Sequence, residues 1–443
     1  YEDCVPNRYN GNPQCKLEDV VGHGLYYAVA EYPEPRTRGK WPAVASNKAS
    51  TAWRWAGYKD VTIVNTDSPQ VKYVVAHLRD RDGLCDSANY NNTLGVPVKF
   101  EIDAGGGTII GAAERVPLPD AVVRAAIHRL CSRTATRLCE RDARSDALFA
   151  DEMAARAIAE FTDEANAQHY EVPAAFFARV LGPNRKYSSC FYREAASTLQ
   201  EAEEEALRQT VEHAQMADGQ SILELGCGWG SLSLWMARQF PNARVTAVSN
   251  SNSQREFIEA EAARRGLGNL RVITCDMNAF DIETRFDRVV SVEMFEHMMN
   301  WRDLLIRVRS WLKPGGRFLM HIFTHRSGSY LFDRADGDDW IAQHFFTGGV
   351  MPSHHLIRQY CTILEVEREW RWSGTHYQRT ALHWLRNFDA HREEIEPVLR
   401  EVYGAETALW MRRWRWFFLA TAGLFAHAGG GEWGVSHYRM KAA

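Results

Sequence analysis

The spacing of apolar residues changes along this chain, and the changes divide it into parts. Up to about residue 104, short runs of β-branched and aromatic residues alternate with segments rich in Asn, Asp and Gly. Such runs predict short strands, so residues 1–104 are interpreted as a small β-rich module. The runs are 61–64, 71–77 and 96–102. A glycine-rich segment at 105–110 then predicts a flexible linker.

Helical spacing follows the linker. Apolar residues recur at intervals of four and three, beginning with Val123, Ile127 and Leu130. This period predicts helices over 120–214, and residues 111–215 are interpreted as a helical cap on the domain that follows.

From residue 216 to residue 443 the pattern alternates between strand and helix periods. Strand–helix alternation with continuous apolar runs predicts an α/β fold, a parallel sheet with helices on both faces. The predicted strands are 221–225, 245–249, 272–275, 288–292 and 317–322, and the helices between them are 231–239, 253–266 and 301–312. The apolar stretch 416–429 is shorter than the roughly 20 residues that span a bilayer, so we expect a buried helix there.

Composition narrows the class of protein. Of the 443 residues, 45% are hydrophobic and 24% are charged, which excludes a mostly disordered chain. Lys and Arg total 52 against 56 for Asp and Glu, a net charge of −4, so no nucleic-acid partner is predicted. The nine cysteines include no Cys-x-x-Cys pair, so no metal site is predicted. The first ten residues carry no secretory signal, and we expect a cytoplasmic protein.

The sharpest local signal is a glycine loop, Gly226-Cys-Gly228-Trp-Gly230, between an apolar strand and a predicted helix. Glycines let the backbone approach a ligand closely, and the helix start presents free N–H groups to it. The third glycine comes one residue early for a dinucleotide loop, and Glu224 lies two positions before the first glycine. These features resemble the first motif of S-adenosylmethionine-dependent methyltransferases. The alternative is a strand-to-helix turn that binds nothing.

Three further segments bear on this interpretation. Asp276 follows the third strand, where such folds commonly place an acid near the adenine, and Lys-Pro-Gly-Gly at 313–316 precedes the predicted fifth strand. The second strand departs from the usual pattern. It ends in Val-Ser-Asn-Ser at 248–251, followed by Gln254, instead of an acid for the ribose hydroxyls.

Together, several blocks resemble the cyclopropane-fatty-acid synthase superfamily of S-adenosylmethionine-dependent methyltransferases, closest to its coclaurine N-methyltransferase-like branch. The blocks lie at 169–173, 187–192, 226–230, 248–254, 293–298, 338–340, 345–352, 373–377 and 435–438. The resemblance covers about residues 115–440. It implies a class I methyltransferase core with a Rossmann-like sheet, a helical cap before it and a lid at its C-terminal end.

The same resemblance implies the residues that bind S-adenosylmethionine. They are Tyr187, Ser188, Glu224, Gly226, Gly228, Gly230, Ser249, Asn250, Gln254, Asp276 and Met277.

The methyl acceptor differs between the branches of this superfamily. In the lipid branch an alkene is the nucleophile, and the resemblance implies a bicarbonate site at Cys190, Glu296, His321 and Tyr377. In the amine branch a secondary or tertiary amine attacks, and the resemblance implies Glu293 and His297 as acid–base residues beside Glu296.

An amine must be unprotonated to attack, so a base that accepts its proton assists the reaction. Glu293 favours the amine branch, because the lipid branch commonly has Gly there, whereas Tyr377 completes the bicarbonate set. We therefore expect methyl transfer to an amine, with an unsaturated lipid acyl chain as the alternative. The structural alternatives are an acid at a helix start for Glu293, a hydrogen-bonded structural histidine for His297 and a small buried hydrophobe for Cys190. A homodimer, peripheral membrane contact and the role of 1–104 stay open.

Overall fold

The computed structural model describes residues 118–139, 143–160, 172–334 and 339–443, together with Glu114 and four short strands nearer the N-terminus. The chain divides into two units, Tyr1–Gly111 and Ala112–Ala443, which are described separately. The predicted linker at 105–110 and most of the predicted block at 169–173 lie outside the described residues.

In the first unit the described strands form two antiparallel pairs. Strand β1 (Val71–Tyr73) pairs with β4 (Glu101–Ile102), and β2 (Leu78–Arg79) pairs with β3 (Thr93–Leu94). The predicted run at 61–64 lies outside the described residues.

Helices dominate the start of the second unit. They are α1 (Asp120–Cys139), α2 (Ala143–Ala154), α3 (Ala174–Val180) and α4 (Leu199–Ala214). Helix α4 begins at a capping box, in which Thr198 accepts from the Glu201 N–H while the Glu201 side chain accepts from the Thr198 N–H, so two otherwise unpaired donors are satisfied. The prediction of helix throughout 120–214 is wrong for 155–160, which follow α2, and for 181–198, where the chain is irregular between α3 and α4.

A parallel sheet forms the centre of this unit. Its strands are β5 (Ser221–Leu225), β6 (Arg244–Ser249), β7 (Leu270–Thr274), β8 (Phe286–Val292) and β9 (Leu312–His325), and the helices between them are α5 (Ser231–Gln239), α6 (Asn252–Arg264) and α7 (Trp301–Trp311). The order across the sheet is β7-β6-β5-β8-β9. The direction of strand succession reverses between β5 and β8, and open α/β sheets bind their ligands at the carboxyl ends of strands beside such a point.

The fifth strand begins earlier than predicted. Strand β9 already pairs with β8 at Leu312, and the register shifts between the pairs Phe286–Leu312 and Arg288–Arg317. The Lys-Pro-Gly-Gly segment is therefore a bulge within the strand and does not precede it, with Gly315 at φ 75°. A bulge of this kind inserts residues into one strand without ending the pairing.

Two antiparallel strands that the sequence patterns did not predict extend the sheet. They are β12 (Leu364–Ser373) and β13 (Trp433–Ala442), and β13 lies between β12 and β9. The lid also contains the ribbon β10 (Tyr330–Leu331) and β11 (Val350–Met351), and the helices α8 (Trp340–His344), α9 (Gly374–Ala390), α10 (Arg392–Tyr403) and α11 (Thr407–Ala426).

Apolar side chains cover both faces of the sheet. One cluster packs α2 and α7 against β8 and β9, with Trp301 and Trp311 fully buried, and another packs α4 and α5 against β5 and β6. Each large side chain buried in this way contributes roughly 1.5–3 kcal/mol to stability. Within the described part of the chain, every helix is too short or too polar to cross a bilayer.

Candidate active site

The glycine loop follows β5, next to the reversal in strand order. Gly226, Gly228 and Gly230 have φ values of 74°, 51° and 76°, which side chains other than glycine adopt only with strain. A Cβ on Gly226 would lie 2.6 Å from Met294, and one on Gly230 would lie 2.6 Å from Ile258. A Cβ on Gly228 would meet no atom within 4 Å. The outer glycines thus permit packing, whereas Gly228 leaves open space beside the loop.

Glu224 lies in β5, beneath the loop. It is buried and accepts a hydrogen bond from the Ser233 hydroxyl of α5. Burial raises the pKa of Glu224 to about 7, against the effects of the Ser233 hydrogen bond and the nearby Lys186 ammonium. The carboxylate therefore joins the strand to the helix on either side of the glycine loop.

The carboxyl end of β6 carries a compact polar cluster. The Ser249 hydroxyl donates to Gln254 Oε1 at 2.7 Å and accepts from the Ser251 N–H at 3.0 Å. Ser251 in turn caps α6 by accepting from the Gln254 N–H. Asn250 lies between these residues and is half-buried. The unusual end of the second strand is thus an ordered turn directly beside the glycine loop, whose Gly226 N–H donates to the Val248 carbonyl at 3.0 Å.

The carboxyl end of β7 carries Asp276 and Met277. Asp276 accepts from the Asn278 N–H at 2.6 Å, and the Met277 side chain is buried. Since β5, β6 and β7 are parallel neighbours, the predicted cofactor residues on all three strands lie at one edge of the sheet.

Tyr187 and Ser188 lie in the irregular segment between α3 and α4. The Tyr187 ring packs 5.0 Å from Phe177 and 5.6 Å from Trp384, measured between ring centroids. Ser188 is buried and accepts from Lys186 Nζ at 2.5 Å, and the Ser189 carbonyl accepts from the same Nζ at 2.7 Å.

Glu293 is held by contacts from three separate segments. It follows β8 with φ 47°, and Oε1 accepts from the Ser189 N–H at 2.9 Å and lies 3.3 Å from His321 Nε2. Oε2 accepts from the Tyr377 hydroxyl at 2.8 Å. A left-handed backbone at a residue other than glycine stores strain, and these contacts fix the carboxylate in one orientation.

Burial governs the ionisation of this cluster. It raises the pKa of Glu293, while the Lys186 ammonium and the hydrogen bonds from Ser189 and Tyr377 act in the opposite direction. Burial also raises the pKa of Tyr377 well above its usual value and lowers that of His321 well below its usual value. Tyr377 is therefore a neutral donor to the carboxylate, and the neutral His321 ring faces it through Nε2.

Glu296 and His297 lie on the short 3₁₀ turn that follows Glu293. Glu296 is fully buried, and its Oε1 accepts from the Phe323 N–H at 2.6 Å. Its Oε2 has no hydrogen-bond partner among the described residues. Burial and the neighbouring Glu293 hold the pKa of Glu296 well above its usual value. The half-buried His297 ring lies 4.4 Å from the ring of Phe346 in the lid.

Cys190 is buried beside this cluster, but its groups are engaged elsewhere. Its N–H donates to Thr380 Oγ1 at 3.1 Å, and its Sγ lies 3.7 Å from the Ser188 carbonyl. Burial raises the pKa of the thiol, so it stays protonated. This geometry agrees with the alternative interpretation of Cys190 as a small buried side chain.

The structure adds residues that sequence reasoning missed. Lys186 is a buried lysine that precedes the Tyr-Ser block, and His437 of β13 is fully buried against His321. A lysine is usually exposed, so only its position next to the block could have drawn attention to it. The identification of His437 required knowing that β13 pairs with β9.

The fold and this site define a class I S-adenosylmethionine-dependent methyltransferase. Residues 159–428 match the family model described as mycolic acid cyclopropane synthetase, which is more than half of the chain. The chain therefore belongs to that family, and the predicted superfamily, fold class, methyltransferase activity and use of S-adenosylmethionine are confirmed.

Both branches of the superfamily occur among the relatives. The chain is 37% identical to an (S)-coclaurine N-methyltransferase of Thalictrum flavum subsp. glaucum, over 62% of this chain and 77% of that protein. It is 32% identical to the cyclopropane-fatty-acyl-phospholipid synthase of Escherichia coli (strain K12), over 58% of this chain and 63% of that protein. The crystal structure of coclaurine N-methyltransferase bound to N-methylheliamine and SAH superposes with a TM-score of 0.72 at 31% identity, covering 75% of this chain and 98% of that one.

Proposed function

We propose that this methyltransferase transfers a methyl group to the nitrogen of a small-molecule amine, and that Glu293 accepts the proton that the amine must lose. When bound, S-adenosylmethionine supplies an electrophilic methyl group. Aliphatic amines are largely protonated at neutral pH, so the nucleophile has to be generated in the site. A carboxylate whose pKa burial has raised is a stronger base than an exposed one.

The arrangement around Glu293 is the observation that carries this proposal. A buried anion held by Ser189, His321 and Tyr377 attracts an ammonium group and then takes its proton. Glu296 adds a second buried carboxyl within the same turn, with one oxygen free of hydrogen bonds among the described residues. A substrate cation would also gain from the aromatic ring of Phe346 beside His297 through cation–π attraction.

We also propose that the residues at the carboxyl edge of the sheet hold S-adenosylmethionine. The space beside Gly228 supports this assignment, as does the ordered polar turn of Ser249 and Gln254.

The residues of this chain do not fit a bicarbonate ion. Tyr377 and His321 direct their polar atoms at the Glu293 carboxylate, and the Cys190 N–H is bonded to Thr380. A second anion there would face the Glu293 carboxylate at close range without solvent screening. We propose that the side chain of Glu293 takes the place of an exogenous anion. Lipid methylation remains the second candidate, because Glu296, His321 and Tyr377 do lie together.

A direct comparison of acceptors tests the proposal. The purified full chain is incubated with methyl-labelled S-adenosylmethionine and either a panel of secondary and tertiary amines or unsaturated phospholipid vesicles, each with and without bicarbonate. We expect label in amines and no effect of bicarbonate. Label that enters only lipid, or turnover that depends on bicarbonate, would refute it. Cytoplasmic location, a homodimer and peripheral membrane contact stay predictions.

A further inference from the structure

Three buried histidines lead away from Oε1 of Glu293. His321 of β9 and His437 of β13 are paired residues of neighbouring antiparallel strands, both are fully buried, and their ring centroids are 4.3 Å apart. His213 of α4 continues the row, with its Nδ1 2.8 Å from His437 Nδ1. The His213 ring is stacked on Trp370 at 3.9 Å and retains 8% of its surface exposed. The row therefore runs from the proposed base to a side chain that touches solvent.

The nitrogen atoms of this row are unevenly paired. His321 Nε2 faces Glu293 Oε1, and the two Nδ1 atoms of His437 and His213 face each other. His321 Nδ1 and His437 Nε2 have no hydrogen-bond partner among the described residues. A buried polar atom left unpaired is unfavourable for the folded state. The two unpaired atoms belong to adjacent rings, and they are the two that a continuous row of hydrogen bonds would join.

The surroundings keep all three rings neutral. Burial is the largest cause in each case, and it lowers the pKa of His213 to about 4 and those of His321 and His437 well below the usual value. The charged groups that act on the row are Lys186, Arg208, Glu212, Glu293, Arg368 and Arg439. Among the described residues no cluster of His, Cys, Asp or Glu is arranged to hold a metal ion, so metal binding does not account for the row.

We propose that His321, His437 and His213 form a path by which the proton taken up by Glu293 leaves the buried site. This inference rests on the proposed amine methylation, because that reaction releases one proton per turnover into a carboxyl group that is only 7% exposed and that the bound amine faces. Neutral imidazoles suit such a path, since each ring accepts a proton at one nitrogen and donates one from the other.

The steps balance as proton transfers alone. An N–H bond of the substrate ammonium breaks, and an O–H bond forms on Glu293. With His321 in the tautomer that carries its proton on Nδ1, the proton of Glu293 passes to His321 Nε2 while the Nδ1 proton moves to His437 Nε2, after a ring rotation that joins the two unpaired nitrogens. His437 then passes its Nδ1 proton to His213 Nδ1, and the Nε2 proton of His213 goes to solvent. The transfer leaves each ring in its other tautomer, and exchange of one ring proton for another with water returns it to the starting tautomer before the next turnover.

The test uses two single variants of the full chain, His213→Ala and His437→Phe. Their methylation kinetics are measured with an amine that the wild type methylates. We expect kcat to fall by at least about tenfold in both variants, while KM and the affinity for S-adenosylmethionine stay within about twofold. Imidazole and methylimidazoles added to His213→Ala should restore turnover in proportion to the basicity of the added base. A side chain that only fills space would show no such dependence on basicity.

Two controls separate proton transfer from structure. His325→Phe removes another fully buried histidine of β9, which is bonded to Glu432. This variant should have a lower melting temperature, but no loss of kcat that added imidazole restores. An N,N-dialkylaniline needs no deprotonation at pH 7.5, and its product carries no N–H, so its methylation should be equally fast in wild type and His213→Ala.

Each outcome decides a separate claim. Unchanged amine turnover in both variants, or a loss in His213→Ala that no base restores, would overturn the proton path while leaving amine methylation intact. A wild type that methylates no amine would refute the proposed function itself, and the path with it.

Discussion

At the scale of single residues, the chemistry of this protein depends on how Glu293 is held. The Glu293 side chain is only 7% exposed, yet the nearby Lys186 ammonium and the hydrogen bonds from Ser189 and Tyr377 favour its ionised form. These effects oppose burial, which raises the pKa of Glu293, and such perturbed groups are typical of functional sites. Its left-handed backbone, φ 47°, is compatible with the glycine that the lipid branch commonly carries there.

Glu293→Gln tests the proton-accepting role. Gln retains the shape of the side chain and an oxygen that accepts from Ser189 or Tyr377, but it takes up no proton. We expect kcat for amines to fall by roughly 10²–10⁴-fold with little change in the affinity for S-adenosylmethionine measured by calorimetry. Full activity of this variant would exclude Glu293 as the base.

Lys186→Met tests the electrostatic balance at the same site. Since the Lys186 ammonium lowers the pKa of Glu293, its removal leaves that pKa higher. The ionised fraction of Glu293 then falls at neutral pH, and the acid limb of the kcat/KM profile should move to higher pH. Lys313→Met is the matched control, because Lys313 pairs with Asp287 away from the site, and its profile should coincide with that of the wild type. An unmoved acid limb in Lys186→Met would count against this role.

At the scale of elements, the connection from β5 through the glycine loop to α5 combines two separate requirements. Gly226 and Gly230 leave room for Met294 and Ile258, whereas Gly228 faces open space. The packing of the neighbouring elements thus depends on the outer glycines, and ligand approach depends on the middle one.

Gly228→Val and Gly230→Ala should therefore affect different properties, cofactor binding in the first and stability in the second. Gly228→Val places a side chain where the cofactor is proposed to approach, so we expect loss of S-adenosylmethionine binding with a cost in stability limited to backbone strain, about 1–3 kcal/mol. Gly230→Ala adds a clash with Ile258 to similar strain, so its melting temperature should fall further. Calorimetric titration and thermal unfolding of both variants provide the measurement. Wild-type cofactor affinity in Gly228→Val would contradict the proposed binding mode.

At the scale of the whole molecule, the catalytic unit is closed by contacts between its first described residue and the lid. Glu114 is 3% exposed and accepts from Arg413 Nη2 at 2.9 Å and from the indole N–H of Trp340. The unit that begins at Ala112 therefore needs the residues just before α1 as well as the sheet and its helices.

Two truncated chains test this dependence. A chain that starts at Ala112 retains Glu114 and should methylate amines with a kcat/KM within about twofold of the full chain. A chain that starts at Asp120 leaves Arg413 without its buried partner, which should destabilise the unit by roughly 3–5 kcal/mol in thermal or urea unfolding. Equal stability of the two would show that Glu114 is dispensable. If the chain that starts at Ala112 methylates a different range of substrates from the full chain, residues 1–104 take part in catalysis.

Short-range patterns in the sequence determined the parallel strands, the glycine loop and the polar turn after β6, because each depends on residues that are close in the chain. Pairings with distant residues were decided only by the tertiary structure. The hydrogen-bond partners of Glu293 lie 28, 84 and 104 residues away in the sequence. His437 contacts His321 only because β13 pairs with β9. The sequence named Glu293, His321 and Tyr377 as separate candidates for two chemistries. Burial and mutual hydrogen bonding, which arise only when these segments pack together, made them one site.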